Sequence, residues 1–301
     1  MKKILNLFCG LLLVCVGISC TLTSNDNNLD NTDYEVNLIP TATYSVTTDT
    51  ISNVLQSISN TSGLYELVVE EDNPVVNTIA TALNNYPEIY IILNLSKSKI
   101  TTISLGNYSN PTIKGIVLPE TLITIGEAAF YECTNLLSIN IPDSVTTLGD
   151  FAFQSCSELK TITIGKNVAS LGEQAFTDCV NLKTVKWGDA LETIGVRAFS
   201  GCKSLVSITI PNTVKTIKTY AFNYCTALKK VTIGSGVNYL YCEIFINCPV
   251  LSSVNFLDSS TWYRTTMNDT FTGGTKTDLT NASTNAKYFK DTYKSWYWYK
   301  E

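Results

Sequence analysis

Residues 145–165, VTTLGDFAFQSCSELKTITIG, carry one unit of the pattern that decides the fold of this 301-residue chain. The unit ends in Leu-x-x-Ile-x-Ile, an apolar and polar alternation that predicts a short β-strand with one buried face. An Ala-Phe pair stands before the strand, and Cys156 follows Phe153 after three positions. The unit therefore combines one strand with one compact apolar turn.

Five apolar columns recur every 23 residues over six units without an insertion. A period in this range is typical of a solenoid in which each unit forms one coil, and equivalent positions then stack at roughly the 4.8 Å strand spacing. The columns are Phe130, Phe153, Phe176, Phe199, Phe222 and Phe245; Cys133, Cys156, Cys179, Cys202, Cys225 and Cys248; Leu136, Leu159, Leu182, Leu205, Leu228 and Leu251; Ile139, Ile162, Val185, Ile208, Val231 and Val254; and Ile141, Ile164, Trp187, Ile210, Ile233 and Phe256.

The remainder of each unit brings the chain back to the start of the next strand. A Pro or Gly such as Pro142 or Gly165 ends the strand and turns the chain. A short apolar return segment follows, for example Val145-Thr-Thr-Leu-Gly149. Ala152 is small enough for a close backbone approach, and Phe153 fills the middle of the coil.

The motif Phe-x-x-Cys-x-x-Leu-x-x-Ile-x-Ile-Pro, followed by Val-x-x-Ile-Gly-x-x-Ala-Phe, resembles the BspA-like, or treponemal-type, leucine-rich repeat over residues 99–257. The resemblance implies an α/β-type solenoid, a right-handed leucine-rich-repeat coil with a parallel β-sheet on its concave face. It also implies a bacterial cell-surface protein, of a family in which some members adhere to host matrix proteins or other cells. Lys218 and Tyr241 replace the Gly of the return segment and Ile244 replaces its Ala, so the last coil is expected to be looser or adapted to a cap.

Composition excludes several function classes. The sequence has no histidine, so Ser-His-Asp catalysis and His-ligated zinc are excluded. A net charge of −5 does not suit nucleic-acid binding, which needs clustered Lys and Arg. The carboxylates fall mainly on predicted turns, as at Asp143, Glu158 and Asp178, and no phosphate-binding Gly-rich loop occurs. We expect no catalytic residues, no metal, no cofactor and a monomer.

The N-terminus predicts export. Lys2 and Lys3 precede an apolar stretch at residues 4–18, too short to span a bilayer comfortably, so residues 1–19 are predicted to be a signal peptide. Ser19-Cys20 resembles the lipobox of bacterial lipoproteins, with Gly17 where that motif prefers Leu. The resemblance implies acylation of Cys20 and anchoring at the bacterial cell surface or outer membrane. Ordinary signal cleavage and an uncleaved signal anchor are the alternatives.

Residues 20–48 are predicted to be a flexible tether, or simply a disordered terminus, because they are rich in Asn, Asp and Thr. Residues 49–98 are predicted to form an N-terminal α/β cap. Asp49 is expected to cap its first helix and Asn73-Pro74 to start its second, with strands at residues 64–69 and 89–95. The second strand places Tyr90, Leu93 and Leu95 in register, 23 residues before Ile113, Ile116 and Leu118.

Residues 258–301 are predicted to be an aromatic C-terminal cap, with Thr284 or Asn285 capping a helix through Phe289 and Tyr293. The aromatic side chains either cover the open end of the last coil or form a platform for glycan or protein. If residues 296–299 form a strand, one face buries Trp296 and Trp298 and leaves Tyr297 and Tyr299 available.

The cysteine column argues against disulfides. Equivalent positions on successive coils have parallel Cα–Cβ vectors, and a cross-link needs converging ones. We therefore expect small buried thiols in a core column. Zinc is disfavoured because no Cys-x-x-Cys pair occurs. Cys242, outside the column, either pairs with Cys248 or is free.

The residues beside the middle apolar position of each strand are predicted to face outward on the concave sheet. This face is mostly hydroxylated and weakly basic, which suits a protein or glycan ligand of a surface adhesin. The alternative is a passive coat or spacer without a dedicated ligand, since Thr and Ser also suit exposed strands by propensity alone. The membrane is expected to be contacted through the lipid anchor only. The predicted ligand contacts are Ser138, Asn140, Thr161, Thr163, Thr184, Lys186, Ser207, Thr209, Lys230 and Thr232, with Gly115, Val117, Ser253 and Asn255 extending the same face.

Overall fold

The computed structural model describes residues 40–61, 63–72, 76–104, 112–266, 274–292 and 294–300, which form a parallel β-solenoid with a 23-residue repeat. The elements in chain order are β1 (Ala42–Val46), α1 (Ile51–Ile58), β2 (Leu64–Val69), α2 (Val76–Asn84), β3 (Tyr90–Asn94), β4 (Thr102–Ile103), β5 (Ile113–Val117), β6 (Thr124–Ile125), β7 (Ser138–Asn140), β8 (Thr147–Leu148), β9 (Thr161–Thr163), β10 (Ser170–Leu171), β11 (Thr184–Lys186), β12 (Thr193–Ile194), β13 (Ser207–Thr209), β14 (Thr216–Ile217), β15 (Lys230–Ile233), β16 (Tyr239–Leu240), β17 (Ser253–Phe256), β18 (Trp262–Thr265), β19 (Thr275–Thr277), α3 (Ala282–Lys287), a π-helical turn (Tyr288–Thr292) and β20 (Tyr297–Lys300).

Two sheets run along the solenoid. The sheet predicted for the concave face, called the concave sheet below, consists of β1, β2, β3, β5, β7, β9 and β11, followed by a three-stranded sheet of β13, β15 and β17. The return segments form a second sheet, the return sheet, from β4 to β16 through the even-numbered strands. Pairing follows the sequence period, with Thr161 opposite Thr184 and Thr147 opposite Thr124. The predicted 23-residue coil is confirmed.

A third hydrogen-bond ladder, which was not predicted, runs along the Ala-Phe turns. Phe130 N–H donates to the Ala152 carbonyl at 2.7 Å and Glu132 N–H to the Gln154 carbonyl at 2.8 Å, and later coils repeat the arrangement. Two residues of each turn, four positions apart, adopt positive φ, and every second N–H between them points toward the next coil, as at Ala128, Phe130 and Glu132. The two positive-φ columns are Ala128, Phe151, Gln174, Arg197, Tyr220 and Glu243, and Glu132, Ser155, Asp178, Gly201, Tyr224 and Asn247.

The phenylalanine column forms a continuous stack at the centre of the coils. All six rings are fully buried, and successive centroids lie 4.9 to 5.6 Å apart. The ring planes of successive pairs differ by 17° at most, so the rings stack face to face with an offset. The stack ends on the C-terminal cap, where Phe289 packs edge-on against Phe245 at 6.1 Å.

Each thiol of the cysteine column from Cys156 onward donates a hydrogen bond to the coil before it. The Cys156 Sγ lies 3.1 Å from the Phe130 carbonyl oxygen, and the contact recurs to Cys248 with Phe222 at 3.1 Å. Among the described residues, the six cysteines of the column are buried and form no disulfide, as predicted, and Cys242, for which pairing with Cys248 was the alternative, forms none either. Burial raises the pKa of the thiols of Cys156, Cys179, Cys202 and Cys225, because a thiolate is poorly solvated in an apolar core.

Glycine at the end of a strand has a steric cause. A Cβ at Gly165 would lie 2.2 Å from the Pro142 carbonyl oxygen, and one at Gly188 would lie 2.2 Å from the Gly165 oxygen. No Cβ fits at that distance, so the close approach of successive turns requires Gly at these two strand ends.

The N-terminal cap continues the concave sheet through β1, β2 and β3, with α1 and α2 between the strands. The predicted tether of residues 20–48 is wrong at its end, because the alternating residues 42–46 form β1, with Val46 buried. Thr50, and not Asp49, is the N-cap residue of α1. The predicted start of the second helix at Asn73-Pro74 lies outside the described residues.

Register between the cap and the first repeat is shifted by a bulge. Leu93 pairs with Ile116 as predicted, but Ile91, and not Tyr90, pairs with Ile113. Lys114 is the extra residue of this irregularity. Because of the bulge, Gly115 pairs with Ile92.

The C-terminal cap adds strands to the return sheet and a helix to the concave sheet. β20 pairs antiparallel with β16 and with β18, and Tyr241 packs on Tyr297 at 5.6 Å, so the altered last coil is adapted to the cap. The N-cap residue of α3 is Asn281, whose side chain accepts from Thr284 N–H, so the prediction of Thr284 or Asn285 is wrong. The buried Asn285 instead donates to the Val254 carbonyl of β17 at 3.0 Å.

Truncation of Phe176 to Ala should lower the free energy of unfolding by about 3–5 kcal/mol, through lost burial and a residual cavity. Urea denaturation of the two proteins measures this difference. Val206→Ala is the matched control, because Val206 is exposed and only its carbonyl joins the coil-to-coil ladder, and it should cost less than about 0.5 kcal/mol. Equal losses in both variants would contradict the central role of the stack.

The four thiols with raised pKa should be alkylated at least ~100-fold more slowly than the half-buried Cys242, because their labelling requires local opening. Timed iodoacetamide labelling at pH 8 with peptide mass spectrometry measures the rates. All sites should react quickly in urea. Rapid labelling of Cys179 in the folded protein, or a peptide joining Cys156 to Cys179 through a disulfide, would refute the buried-thiol column.

Candidate functional site

The concave sheet presents two outward columns of side chains. One column runs from Glu66 through Ile92, Gly115 and Ser138 to Ser253, and the other runs from Val68 through Asn94 to Asn255. Strand pairing holds these columns in line within each of the two sheets, and the 23-residue spacing carries them from β11 to β13. The charged side chains in these two columns are Glu66 near one end and Lys186 and Lys230 toward the other.

The structure places the predicted contact residues on this one face, but not with equal exposure. Asn140, Ser207, Thr209 and Lys230 are exposed, and Ser138, Thr163, Thr184, Lys186 and Thr232 are half-buried. The prediction is wrong for Thr161, which is 8% exposed. Thr161 lies between Ser138 and Thr184 on the paired strands, so its neighbours cover its short side chain.

Lys186 and Lys230 lie on β11 and β15, on either side of β13. They belong to different columns, since Lys230 pairs with Ser207 and Lys186 pairs with Thr163. Two strand spacings and a two-residue offset put them roughly 12 Å apart. They can therefore contact two separate groups of one ligand.

A depression in the concave sheet was not predicted. It has a volume of about 280 Å³ and is centred on Gly115, where the column lacks a side chain between Ile92 and Ser138. Val117, 40% exposed, forms part of its apolar wall. The lining residues are Pro40, Glu66, Ile92, Gly115, Ile116, Val117, Ser138, Ile139 and Asn140.

The Glu66 carboxylate is held in place at the edge of this depression. Asn94 Nδ2 donates to one of its oxygens at 2.7 Å, and Thr43 Oγ1 donates to the other at 3.0 Å. The Lys114 ammonium lies 3.9 Å over the ring of Tyr90 and does not line the depression. The edge of the depression therefore carries a positioned negative charge.

The return sheet presents a narrower surface, because its strands contain two residues each and the second is buried. The outward column ends at Tyr239, 39% exposed, beside the C-terminal cap. Tyr297 and Tyr299 are buried against Tyr241 and Tyr263, so the prediction that they remain available is wrong. The outward column is Thr102, Thr124, Thr147, Ser170, Thr193, Thr216 and Tyr239.

Phe289 and Trp298 pack at 4.7 Å beneath the last coil, and Phe256 packs on Trp262 at 5.1 Å. The aromatic side chains of the C-terminal segment thus cover the end of the coil, which was the first of the two predicted roles. Trp296 is half-buried, with the Arg264 guanidinium 5.5 Å from its ring.

Among the described residues, no group of three Cys, Asp or Glu side chains is arranged to hold a metal ion. None of the helices in this part of the chain is long and apolar enough to cross a membrane. Cys20, the predicted signal peptide and most of the predicted tether lie outside the described residues.

The coil, its period and its two sheets define a leucine-rich-repeat solenoid protein. The family model for the BspA type leucine rich repeat region matches six copies over residues 101–205 and 192–292. The chain belongs to this family, whose members include bacterial surface proteins. The search of curated proteins found no match.

Solved structures of bacterial leucine-rich repeat proteins are similar. The Treponema pallidum leucine-rich repeat protein is 30% identical, with 55% of this chain and 73% of that chain covered and a TM-score of 0.44. A leucine-rich repeat protein from Bacteroides ovatus is 23% identical, with a TM-score of 0.43. The match covers 56% of this chain and only 55% of the Bacteroides chain.

Proposed function

We propose that this protein is exported, anchored to the bacterial cell surface by a lipid on Cys20, and binds a protein or glycan through the concave sheet. The observation that carries the proposal is the pair of outward columns on this sheet. They place hydroxyl, amide and three charged side chains in one plane on a rigid scaffold. Shallow contacts from several coils add along such a surface.

The concave sheet suits a ligand better than the return sheet does. Its strands are three to six residues long and display two outward columns, whereas the return strands display one. Lys186 and Lys230 also give its C-terminal half a positive charge in a chain of net charge −5. An acidic or polar group of the ligand is therefore favoured at this end.

Lys186→Glu combined with Lys230→Glu should weaken ligand binding at least ~10-fold, because two attractive charges become repulsive. The melting temperature should change little, since Lys230 is exposed and Lys186 half-buried. The measurement is a pull-down from host matrix and bacterial surface extracts, followed by affinity determination on the captured ligand.

The matched control is Lys166→Glu combined with Lys215→Glu. Lys166 is exposed on a turn, paired with Asp143 at 2.9 Å, and Lys215 precedes β14 of the return sheet. Loss of binding in the control pair alone would move the site to another face. Loss only on deletion of residues 284–301, with the coils still folded, would move it to the aromatic cap. Failure of every surface extract to yield a saturable ligand would favour the spacer role.

Cys20→Ala should release the protein from the membrane fraction or block signal removal, because acylation needs the thiol. Detergent phase partition of wild type and variant in a bacterial host measures the change. Cys242→Ala is the control, and it should partition as the wild type does. An unchanged partition of Cys20→Ala would contradict lipid anchoring and leave the concave-sheet proposal intact.

A further inference from the structure

We propose that the depression at Gly115 is a subsite for a lysine or arginine side chain of a protein ligand. The inference rests on the proposed function in one respect, since the subsite lies on the same concave sheet. It names the class of partner, a protein surface that presents a cation, and it places that contact at the opposite end of the sheet from Lys186 and Lys230.

The first argument is the fixed carboxylate. Glu66 receives one hydrogen bond on each oxygen, from Asn94 and from Thr43. A carboxylate has about four acceptor positions, so capacity remains for a donor from outside. Both partners are neutral, and neither the lining of the depression nor the two contacts supplies a positive charge. A ligand cation would neutralise Glu66 without displacing an existing ion pair.

The second argument is the apolar wall. Ile92, Ile116, Val117 and Ile139 line the depression beside the carboxylate. Lys and Arg combine an aliphatic stem with a charged head, so the stem can lie on these side chains while the head reaches Glu66. The lining contains no aromatic ring on which a sugar could stack. Its volume of about 280 Å³ suits one long side chain better than an oligosaccharide.

The third argument is the distribution of charge along the sheet. Five strand steps separate β2, which carries Glu66, from β11, which carries Lys186. At the usual strand spacing this distance is about 24 Å. A polyanionic glycan that suited the lysines would be repelled at Glu66, whereas a protein surface with both signs of charge can satisfy both ends.

The test uses small cations as probes of the purified protein. Titration with n-butylammonium and with n-butylguanidinium, followed by methyl and amide NMR, should give saturable shifts at Ile92, Val117 and Gly115. Millimolar dissociation constants are expected for single contacts of this kind. Butyrate and methyl glucoside at equal ionic strength should leave these signals unchanged.

Two variants make the outcome specific. Glu66→Gln keeps the shape of the side chain and should weaken the cations at least ~5-fold. Val117→Lys places a competing cation at the wall, on a side chain that is already exposed, and should abolish the shifts. Glu70→Gln is the matched control, because Glu70 is exposed, pairs with Lys97 and does not line the depression. It should bind the probes as the wild type does.

Three outcomes would overturn the subsite: no shift with either cation, equal shifts in wild type and Glu66→Gln, or shifts at the same methyls with butyrate or the glucoside. The probes need no natural ligand, so the result is independent of the pull-down. Cation binding at Gly115 together with failure to capture any ligand would refute ligand binding by the concave sheet and support the cation site. Loss of a captured ligand in the Lys186 and Lys230 variant, together with no cation binding at Gly115, would support ligand binding by the concave sheet and refute the cation site.

Discussion

Backbone hydrogen bonding between successive coils is the constraint on which the structure depends. Successive coils are bonded on up to three sides, through the concave sheet, the return sheet and the Ala-Phe turns, with the concave sheet interrupted between β11 and β13. Within the six regular units these ladders hold every coil to the same backbone path, and the spacing changes only next to the N-terminal cap, where Ile103 pairs with Ile125 after 22 residues and a bulge at Lys114 shifts the register. The uninterrupted 23-residue period and the stacked columns follow from that condition.

The turn ladder requires the chain to accept unfavourable dihedral angles. Ordinary side chains in the left-handed region cost roughly 1–2 kcal/mol each, and among the twelve positions of the two columns only Gly201 is a glycine. In exchange, N–H groups of the turn find carbonyls in the next coil, as from Phe151 to Glu173 and from Gln174 to Val196. An unpaired buried amide costs a similar amount, so the left-handed conformation offsets its own strain. The Cys thiol adds a donor in the opposite direction, to the Phe carbonyl of the preceding coil.

The repeat region was predictable because the same residue pattern recurs in six successive units. Phe, Cys and Leu occur six times at equal spacing, and any coil alone would have been ambiguous. The left-handed columns were not predictable, since Ala, Gln, Arg and Glu carry no signature of positive φ. The S–H donors likewise depend on the position of a carbonyl in another coil.

The ends and the site were predicted less well, because each depends on a unique contact. The Asn285 side chain donates to the Val254 carbonyl of β17 and does not cap a helix. This contact depends on how the cap packs, so the sequence alone did not predict it. The outward face of the concave sheet followed from strand alternation. The depression did not, because it depends on the bulge at Lys114, the missing side chain of Gly115 and a carboxylate from the cap. The exposure of Thr161 was mispredicted for a similar reason, since burial on a sheet surface is decided by neighbours on other strands.

The three-sided bonding has a consequence for how such proteins change length. A coil inserted between two others makes the same hydrogen bonds to the preceding and the following coil as the existing coils make to each other. Its interfaces are therefore equivalent to theirs. An in-frame duplication of one unit therefore extends the concave sheet by one strand and leaves both caps, and the depression near the first of them, untouched. Genes that encode solenoids of this kind can lengthen or shorten the protein without redesigning its core.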